Sequence, residues 1–235
     1  MSDLCASQEA PVLKIYGRRN SANVQKVMWL VGELGLPHAH VPLGGAFGGV
    51  DTPAHRARSP QGKVPAIEDD GVVVWESHAI LRYLAAQYGG ERFWPQSPAA
   101  RARLEPWMDW SQCMWQPNFL GGVFWGYYRT PAAQRDYTAV RAAVARCASD
   151  LLLLEAALAK TEFLAGAQLS LADIPAGTLL YRYFTLEMDL SEGRAADWRP
   201  ALPNVEAWYR RLCERAAYRE HVMVPYADML GRLAF

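Results

Sequence analysis

Two stretches of this chain combine residue types that hold ligands through backbone and charge together. In the first, Gly62-Lys63-Val64-Pro65-Ala66-Ile67 places a proline at the start of an apolar run. Proline brings no backbone donor, and a cis bond before it turns the preceding N–H and C=O outward, where a ligand amide can pair with them. Val64 is that preceding residue. In the second, Glu76-Ser77-His78-Ala79-Ile80 follows Val72-Val73-Val74-Trp75 and opens a run of helical period. First-turn amides beside a hydroxyl suit an anion, and a carboxylate just outside suits an ammonium. A ligand with an amino-acid head and an extended amide fits both. Each stretch is ordinary alone, Ser77 reading most simply as an N-cap. Their separation by one hairpin joins them into a single site.

The elements that position these stretches follow from period and punctuation. Val12-Leu13-Lys14-Ile15-Tyr16 reads as a short strand; Val24, Val27, Met28, Val31 and Leu34 then recur at helical spacing until Gly35, with Ser21 at the helix start. His40-Val41-Pro42-Leu43 is a weaker strand, followed by the glycine-rich Gly44-Gly45-Ala46-Phe47-Gly48-Gly49, which has too little repeat for a phosphate loop. Ala66-Ile67-Glu68 and Val72-Val73-Val74-Trp75 form a hairpin about Asp69-Asp70-Gly71, and the helix from Ser77 ends at Gly89-Gly90. The order is βαβ, then ββα. From Pro95 onward the pattern is helical only, over about 98–129, 132–160, 171–187, 204–217 and 219–232. Residues 1–88 are therefore expected to form an α/β domain, 89–97 a linker and 98–235 an all-helical domain. Within the latter, Leu169-Ser170-Leu171-Ala172-Asp173-Ile174 has the form of a capping box with a staple: Ser170 caps, Asp173 reaches back and Leu169 packs on Ile174. Pro175 is expected to remove one hydrogen bond and distort the helix start.

At 235 residues, 51% of them hydrophobic, the chain can bury cores for two modest domains. Basic and acidic residues balance at 24 each without a long run of either sign, which argues for a small-molecule partner and against a nucleic-acid or anionic-membrane surface. No apolar stretch reaches spanning length and Met1 to Gln8 is polar, so a soluble cytoplasmic protein is expected. Cys5, Cys113, Cys147 and Cys213 show neither Cys-x-x-Cys nor zinc spacing and read as reduced and mostly structural. His38 and His40 alternate on one strand and could share a face with His55, but no nearby cysteine or carboxylate completes a set, so no metal site is expected.

Lys63-Val64-Pro65, Glu76-Ser77-His78-Ala79-Ile80 and Ser170-Leu171-Ala172-Asp173, set in the βαβ-ββα order, together resemble the cytosolic glutathione transferase superfamily over nearly the whole chain. The resemblance implies a thioredoxin-like amino-terminal domain that binds glutathione as co-substrate, and an all-helical carboxy-terminal domain that adds a pocket for a small apolar electrophile. It also implies a homodimer. By the same resemblance Val64, before a cis Pro65, pairs with the cysteinyl part of glutathione, and Glu76 and Ser77 hold the γ-glutamyl end. Lys63 is the nearest cation for the glycyl carboxylate, with His55 and Gln61 as alternatives. The glycine-rich segment, with Asp51-Thr52-Pro53 and Ser59-Pro60-Gln61-Gly62-Lys63 after it, looks like a bacterial branch of the superfamily.

In that superfamily the catalytic residue lies between the first strand and the first helix, here Arg18-Arg19-Asn20-Ser21-Ala22-Asn23. A hydroxyl donating to sulfur beside the positive end of a helix favours thiolate over thiol. Lowering a thiol pKa by about two units takes roughly 2.7 kcal/mol, within reach of one charge-assisted hydrogen bond plus a helix terminus. Ser21 is the first candidate, although a plain N-cap would look the same. Asn23 is the competing donor, and Arg18 or Arg19 could add positive potential. No cysteine stands at 18–23, a departure from the thiol-dependent branches and glutaredoxins that points to a serine-type enzyme and away from disulfide exchange through a protein thiol. The Ser-Ser-Cys pattern of the maleylacetoacetate isomerase branch is absent too.

Aromatic residues crowd Trp107 to Tyr128, most of them as packing; Trp110, Met114 and Tyr128 are the candidates for the electrophile pocket. The leading expectation is a transferase that activates glutathione as thiolate for attack on an apolar electrophile. The alternatives are a noncatalytic glutathione-fold binding or assembly module, or a glutathione-dependent dehalogenase, peroxidase or ether-cleaving enzyme.

Overall fold

The computed structural model describes residues 13–190 and 198–233; Val12 of the first expected strand, Cys5 and the polar stretch from Met1 to Gln8 lie outside the described residues. β1 (Leu13–Tyr16) buries Leu13, Ile15 and Tyr16 and leaves Lys14 exposed. α1 (Ala22–Leu34) buries Val24, Val27, Trp29, Leu30 and Val31 completely and stops at Gly35, where the Leu36 N–H closes onto the Val31 carbonyl at 3.1 Å. β2 (His38–Val41) lies parallel to β1, with Leu13 opposite His38 and Tyr16 opposite Val41. The strand expected at 40–43 thus sits two residues earlier, because Pro42 has no N–H to offer a ladder.

α2 (Pro53–Arg58) starts on Thr52, whose hydroxyl accepts the His55 N–H at 3.3 Å. β3 (Ala66–Asp69) runs antiparallel to both β1 and β4 (Val72–Trp75), giving the sheet order β2-β1-β3-β4. The Val64–Pro65 peptide that leads into β3 is cis. α3 (Ser77–Tyr88) packs beside α1. This is a thioredoxin-like arrangement, and because Ala66 pairs with Trp75 it brings Lys63-Val64-Pro65 and Glu76-Ser77 to neighbouring ends of β3 and β4.

Helices make up the remainder: α4 (Gly90–Phe93), α5 (Pro98–Arg101) and α6 (Glu105–Trp110), then wide π-helical turns over Ser111–Trp115 and Pro117–Arg129, then α7 (Tyr137–Leu158), α8 (Asp173–Thr185), α9 (Pro203–Cys213) and α10 (Ala216–His221). The single helix expected over 98–129 is therefore broken and widened. Pro117 lacks a donor, and the ladder around it reaches five residues back, Gln116 N–H to Ser111 and Thr130 N–H to Trp125 at 3.0 Å. The helix expected from 132 starts at Tyr137 instead, capped by Asp136, whose carboxylate accepts the Ala139 N–H at 2.9 Å. The helix expected at 219–232 is two pieces, α10 and a 3₁₀ turn at Ala227–Met229, separated by Pro225.

The capping box forms at the start of α8. The Asp173 carboxylate accepts the Ser170 N–H at 2.9 Å, the Ser170 hydroxyl at 3.0 Å and the Leu164 N–H at 2.9 Å. Pro175 distorts nothing there, because it occupies the first helical turn, where an N–H has no intrahelical partner. The two domains interlock through α1, α8 and α10. Trp29 meets Tyr218 edge-on at 4.8 Å, the Tyr218 hydroxyl donates to the Gly177 carbonyl at 2.9 Å, and a Cβ on Gly32 would stand 2.8 Å from Ala217 Cβ. Glycine is what lets α1 and α10 approach this closely.

Candidate functional site

A cavity of about 470 Å³ opens between the loops at one end of the sheet and the helical domain. On the sheet side it is walled by Arg18, Asn20, Ser21, Ala22 and Asn23 after β1, by Gly44, Gly45 and Val50, and by Gly62, Lys63 and Val64 before the cis proline. On the helical side stand Leu120, Phe124, Trp125, Arg129, Arg182, Met229 and Leu233.

The β1–α1 loop can reach this cavity because Gly17 tucks between α1 and the proline loop. A Cβ there would lie 2.4 Å from Val24 Cγ2, and its φ of 153° is one that other residues rarely adopt. Ser21 follows in extended conformation, φ −80° and ψ 124°, at the N-cap position of α1. Its carbonyl accepts the Gln25 N–H at 2.9 Å, yet its hydroxyl makes no capping bond. The plain N-cap reading of Ser21 thus describes its backbone alone. The hydroxyl stays available on the cavity wall beside the positive end of α1.

Asn23 lines the same wall, and its Oδ1 accepts the Ser77 hydroxyl at 3.5 Å. Ser77 is the first residue of α3 rather than its cap; the cap position belongs to Glu76, a non-glycine residue at φ 68°. That left-handed backbone is costly for a glutamate, and such strain collects where an element must aim at a ligand. Glu76 is exposed while Ser77 is buried. Neither is among the residues that line the cavity, and Ser77 reaches its wall through Asn23.

Of the three candidates for a carboxylate partner, Lys63 lines the cavity and is exposed. His55 is fully buried behind it, its Nε2 lying 3.0 Å from the Lys63 carbonyl oxygen, so it holds the Lys63 backbone from beneath. Gln61 is exposed and stands outside the cavity lining. Val64 lines the cavity, and Pro65 is buried under it.

Trp110, Met114 and Tyr128 also stand off this cavity. Trp110 packs edge-on against Trp107 at 5.7 Å, Met114 is exposed, and Tyr128 stacks on Phe124 at 5.2 Å. Leu120, Phe124 and Trp125 from the same segment take the lining positions. The π-helical turns change which side chains share a face along this segment.

Two arginines that the sequence reading passed over complete the helical wall. Arg129 stacks on Trp125 at 3.8 Å and donates to the carbonyls of Arg232 and Leu233 at 2.8 and 3.3 Å. Arg182 donates to the Asn20 carbonyl at 2.7 Å and to Gln25 Oε1 at 3.2 Å, with Phe124 5.0 Å from its guanidinium. Burial pushes both down to about 10, still cationic at neutral pH. A faint signal existed for Arg182, the sole cation in the run from Ile174 to Leu186.

Among the described residues no group of three or more His, Cys, Asp and Glu could hold a metal ion, and no helix is long and apolar enough to cross a membrane. Cys113, Cys147 and Cys213 are free.

A thioredoxin-like sheet with a cis-proline loop, sharing a cavity with a second, all-helical domain, defines the class of protein. Residues 15–92 match the family described as Glutathione S-transferase, N-terminal domain, and residues 137–211 the Glutathione S-transferase, C-terminal domain. Glutathione S-transferase GstB of Escherichia coli K12 is 38% identical over 216 residues, 91% of this chain and 99% of that protein. The theta class glutathione S-transferase of Xanthomonas axonopodis pv. citri, solved with glutathione bound, superposes with a TM-score of 0.83 at 43% identity, covering 92% of this chain and 99% of that one. Glutathione S-transferase 3 of Zea mays is 32% identical, covering 89% of this chain and 93% of that protein. The chain belongs to the glutathione S-transferase family and is a glutathione transferase.

Proposed function

We propose that Ser21 activates the glutathione thiol for attack on a second substrate held against Leu120, Phe124 and Trp125. Glutathione would lie along the sheet side of the cavity, its cysteinyl amide on the Val64 backbone, its γ-glutamyl carboxylate at the Ser77 helix start and its amine on Glu76. Lys63 would take the glycyl carboxylate, with His55 fixing its backbone from behind. The observation that carries this reading is the Ser21 hydroxyl, free of any capping bond, on the cavity wall at the N-terminus of α1. Hydrogen bonding to sulfur and the helix dipole both favour the thiolate.

The test is Ser21→Ala. The pKa of bound glutathione, read from thiolate absorbance in the ultraviolet, should rise, and turnover at neutral pH should fall while binding is nearly unchanged. The loss should shrink as pH increases, because the thiolate then forms without help. An unchanged pKa in Ser21→Ala beside a raised one in Asn23→Ala would move the role to Asn23.

The same reading makes the protein a cytoplasmic homodimer. Exposed Val72, Val73 and Trp75 on the β4 edge and exposed Met114 on the helical domain are apolar surface that an interface would cover. Sedimentation at tens of micromolar should give the dimer mass; monomer alone would remove this part of the reading.

A further inference from the structure

Three guanidinium groups converge on one cavity. Arg18 comes from the β1–α1 loop, Arg129 from the π-helical segment and Arg182 from α8, and all three line the same 470 Å³ space as Ser21. Arg129 and Arg182 are only 2% and 3% exposed. Burying such cations costs solvation, which a fold recovers only where something on the spot interacts with them. Each lies against an aromatic wall, Arg129 on Trp125 and Arg182 on Phe124. The groups are close enough that Arg18 repels the charge on both of the others, and Asp228 is the described carboxylate that acts on all three. Asp228 is exposed and itself accepts from Asn20 Nδ2 at 2.8 Å. An apolar slot rimmed by arginines recognises a planar oxyanion on an apolar body.

We propose that the second substrate of this transferase is an anionic electrophile, a small apolar or aryl body bearing a carboxylate that Arg129 on the helical wall and Arg18 on the Ser21 loop bind together in this cavity. The inference rests on the placement of glutathione given under Proposed function, which spans Ser77 to Lys63 and leaves the Arg129 side of the cavity to the second substrate. In the reaction the glutathione sulfur forms a bond to the electrophilic carbon, the bond from that carbon to halogen breaks, and halide leaves with the electron pair. The thiol proton passes to solvent and the carboxylate is unchanged.

A matched pair tests this: 4-chloro-3-nitrobenzoate and 4-chloro-3-nitrobenzamide differ in charge and little else. With saturating glutathione, and after dividing each rate by its uncatalysed rate, kcat/KM should favour the benzoate by about tenfold or more, the loss expected when a charged hydrogen-bond partner is removed. Arg129→Gln and Arg18→Gln should each bring the ratio toward one, and Arg129→Lys should restore part of it. If neither compound turns over, calorimetry of 3-nitrobenzoate against 3-nitrobenzamide on the glutathione-loaded protein decides, tighter benzoate binding supporting the proposal. Equal treatment of the pair by the unaltered protein, in rate or in binding, overturns it, with no variant needed. So does an unchanged ratio in well-folded Arg129→Gln and Arg18→Gln together with a raised thiol pKa, which would assign the arginines to the thiolate instead. Absence of glutathione binding in calorimetry would be a separate result, sinking the glutathione placement itself.

Discussion

The Arg182 guanidinium reaches from α8 of the helical domain to donate to the Asn20 carbonyl at 2.7 Å, one residue before Ser21, and holds Gln25 Oε1 with the same nitrogen at 3.2 Å. The loop that presents the Ser21 hydroxyl is thus pinned by the opposite domain. Correct placement of a catalytic group to within a fraction of an ångström depends on such supports.

With Ser21 as the proposed activator, Arg182 is expected to act as a positioning residue, and Arg182→Lys separates charge from geometry. Lysine keeps the cation but replaces a planar, rigid fork with a single ammonium on a flexible stem. The expected outcome is a loss in kcat of about tenfold, the size of one charged hydrogen bond. Hydrogen exchange at the amides of Ser21 and Ala22 should quicken and the bound thiol pKa should rise. Unchanged exchange and unchanged kcat would show that the loop holds itself.

Ser77→Ala should weaken glutathione by roughly ten- to 150-fold, the equivalent of about 1.5 to 3 kcal/mol for a hydrogen bond to a charged group. Because Ser77 also donates to Asn23 Oδ1, the variant frees the Asn23 amide on the cavity wall. Calorimetry giving equal dissociation constants for variant and parent would remove Ser77 from the γ-glutamyl site.

What the sequence made legible was local. Gly35 ends α1, and Asp173 reaching Ser170 needs only a span of three residues, and the structure forms both, while the short α2 that Thr52 caps was not expected. The order βαβ, then ββα, followed from strand and helix periods of a few residues each, and the resemblance to a known superfamily made it thioredoxin-like. What stayed hidden depends on contacts between distant segments. Arg129 and Arg182 meet the Ser21 loop only after the second domain docks, and a helical period cannot anticipate the π-helical turns that bring Phe124 and Trp125 to the cavity. His55 shows the same limit from the other side. It is an alternative to Lys63 for the glycyl carboxylate by sequence, yet it lies in the short helix that Thr52 starts, buried, with its imidazole on the Lys63 carbonyl.

The buried Asp173 carboxylate links the box to the loop at Leu164. Asp173→Ala would strand the Leu164 and Ser170 N–H groups, each costing about 1 to 3 kcal/mol when buried without a partner. A loss of about 3 kcal/mol or more in urea denaturation is expected. Burial raises the Asp173 pKa from 3.8 to about 6. The folded state therefore keeps a proton there that the unfolded chain gives up, and this group's contribution to stability should fall as pH rises from about 4 to 6. A parent-minus-variant stability difference that grows over that window would contradict the assignment.

Lys26 supplies the opposite slope. It sits on α1 with no exposed surface, its Nζ 3.0 Å from His78 Nε2 and donating to Gln116 Oε1 at 2.5 Å and Gln112 Oε1 at 3.4 Å, so it bridges the sheet domain to the π-helical segment. Burial drives its pKa from 10.5 down to about 7, with the Glu76 charge partly opposing the shift. His78 beside it is held neutral, pushed down to about 2 by burial and then by Lys26 and Arg82. Between about pH 7 and 10.5 the unfolded chain binds a proton that the folded protein does not, so stability should rise with pH across that window, by at most about 1.4 kcal/mol per unit from this group. Below the folded pKa the charged amine is buried and the contribution is flat. Lys26→Met removes the titration while keeping an unbranched apolar stem of similar reach. The variant's stability should therefore lack the rise seen in the parent from neutral to alkaline pH, and the two curves should converge as pH increases. Urea denaturation of both proteins at a series of pH values reads this directly, and parallel curves would show that Lys26 stays charged in the fold, balanced by Glu76 of the same domain.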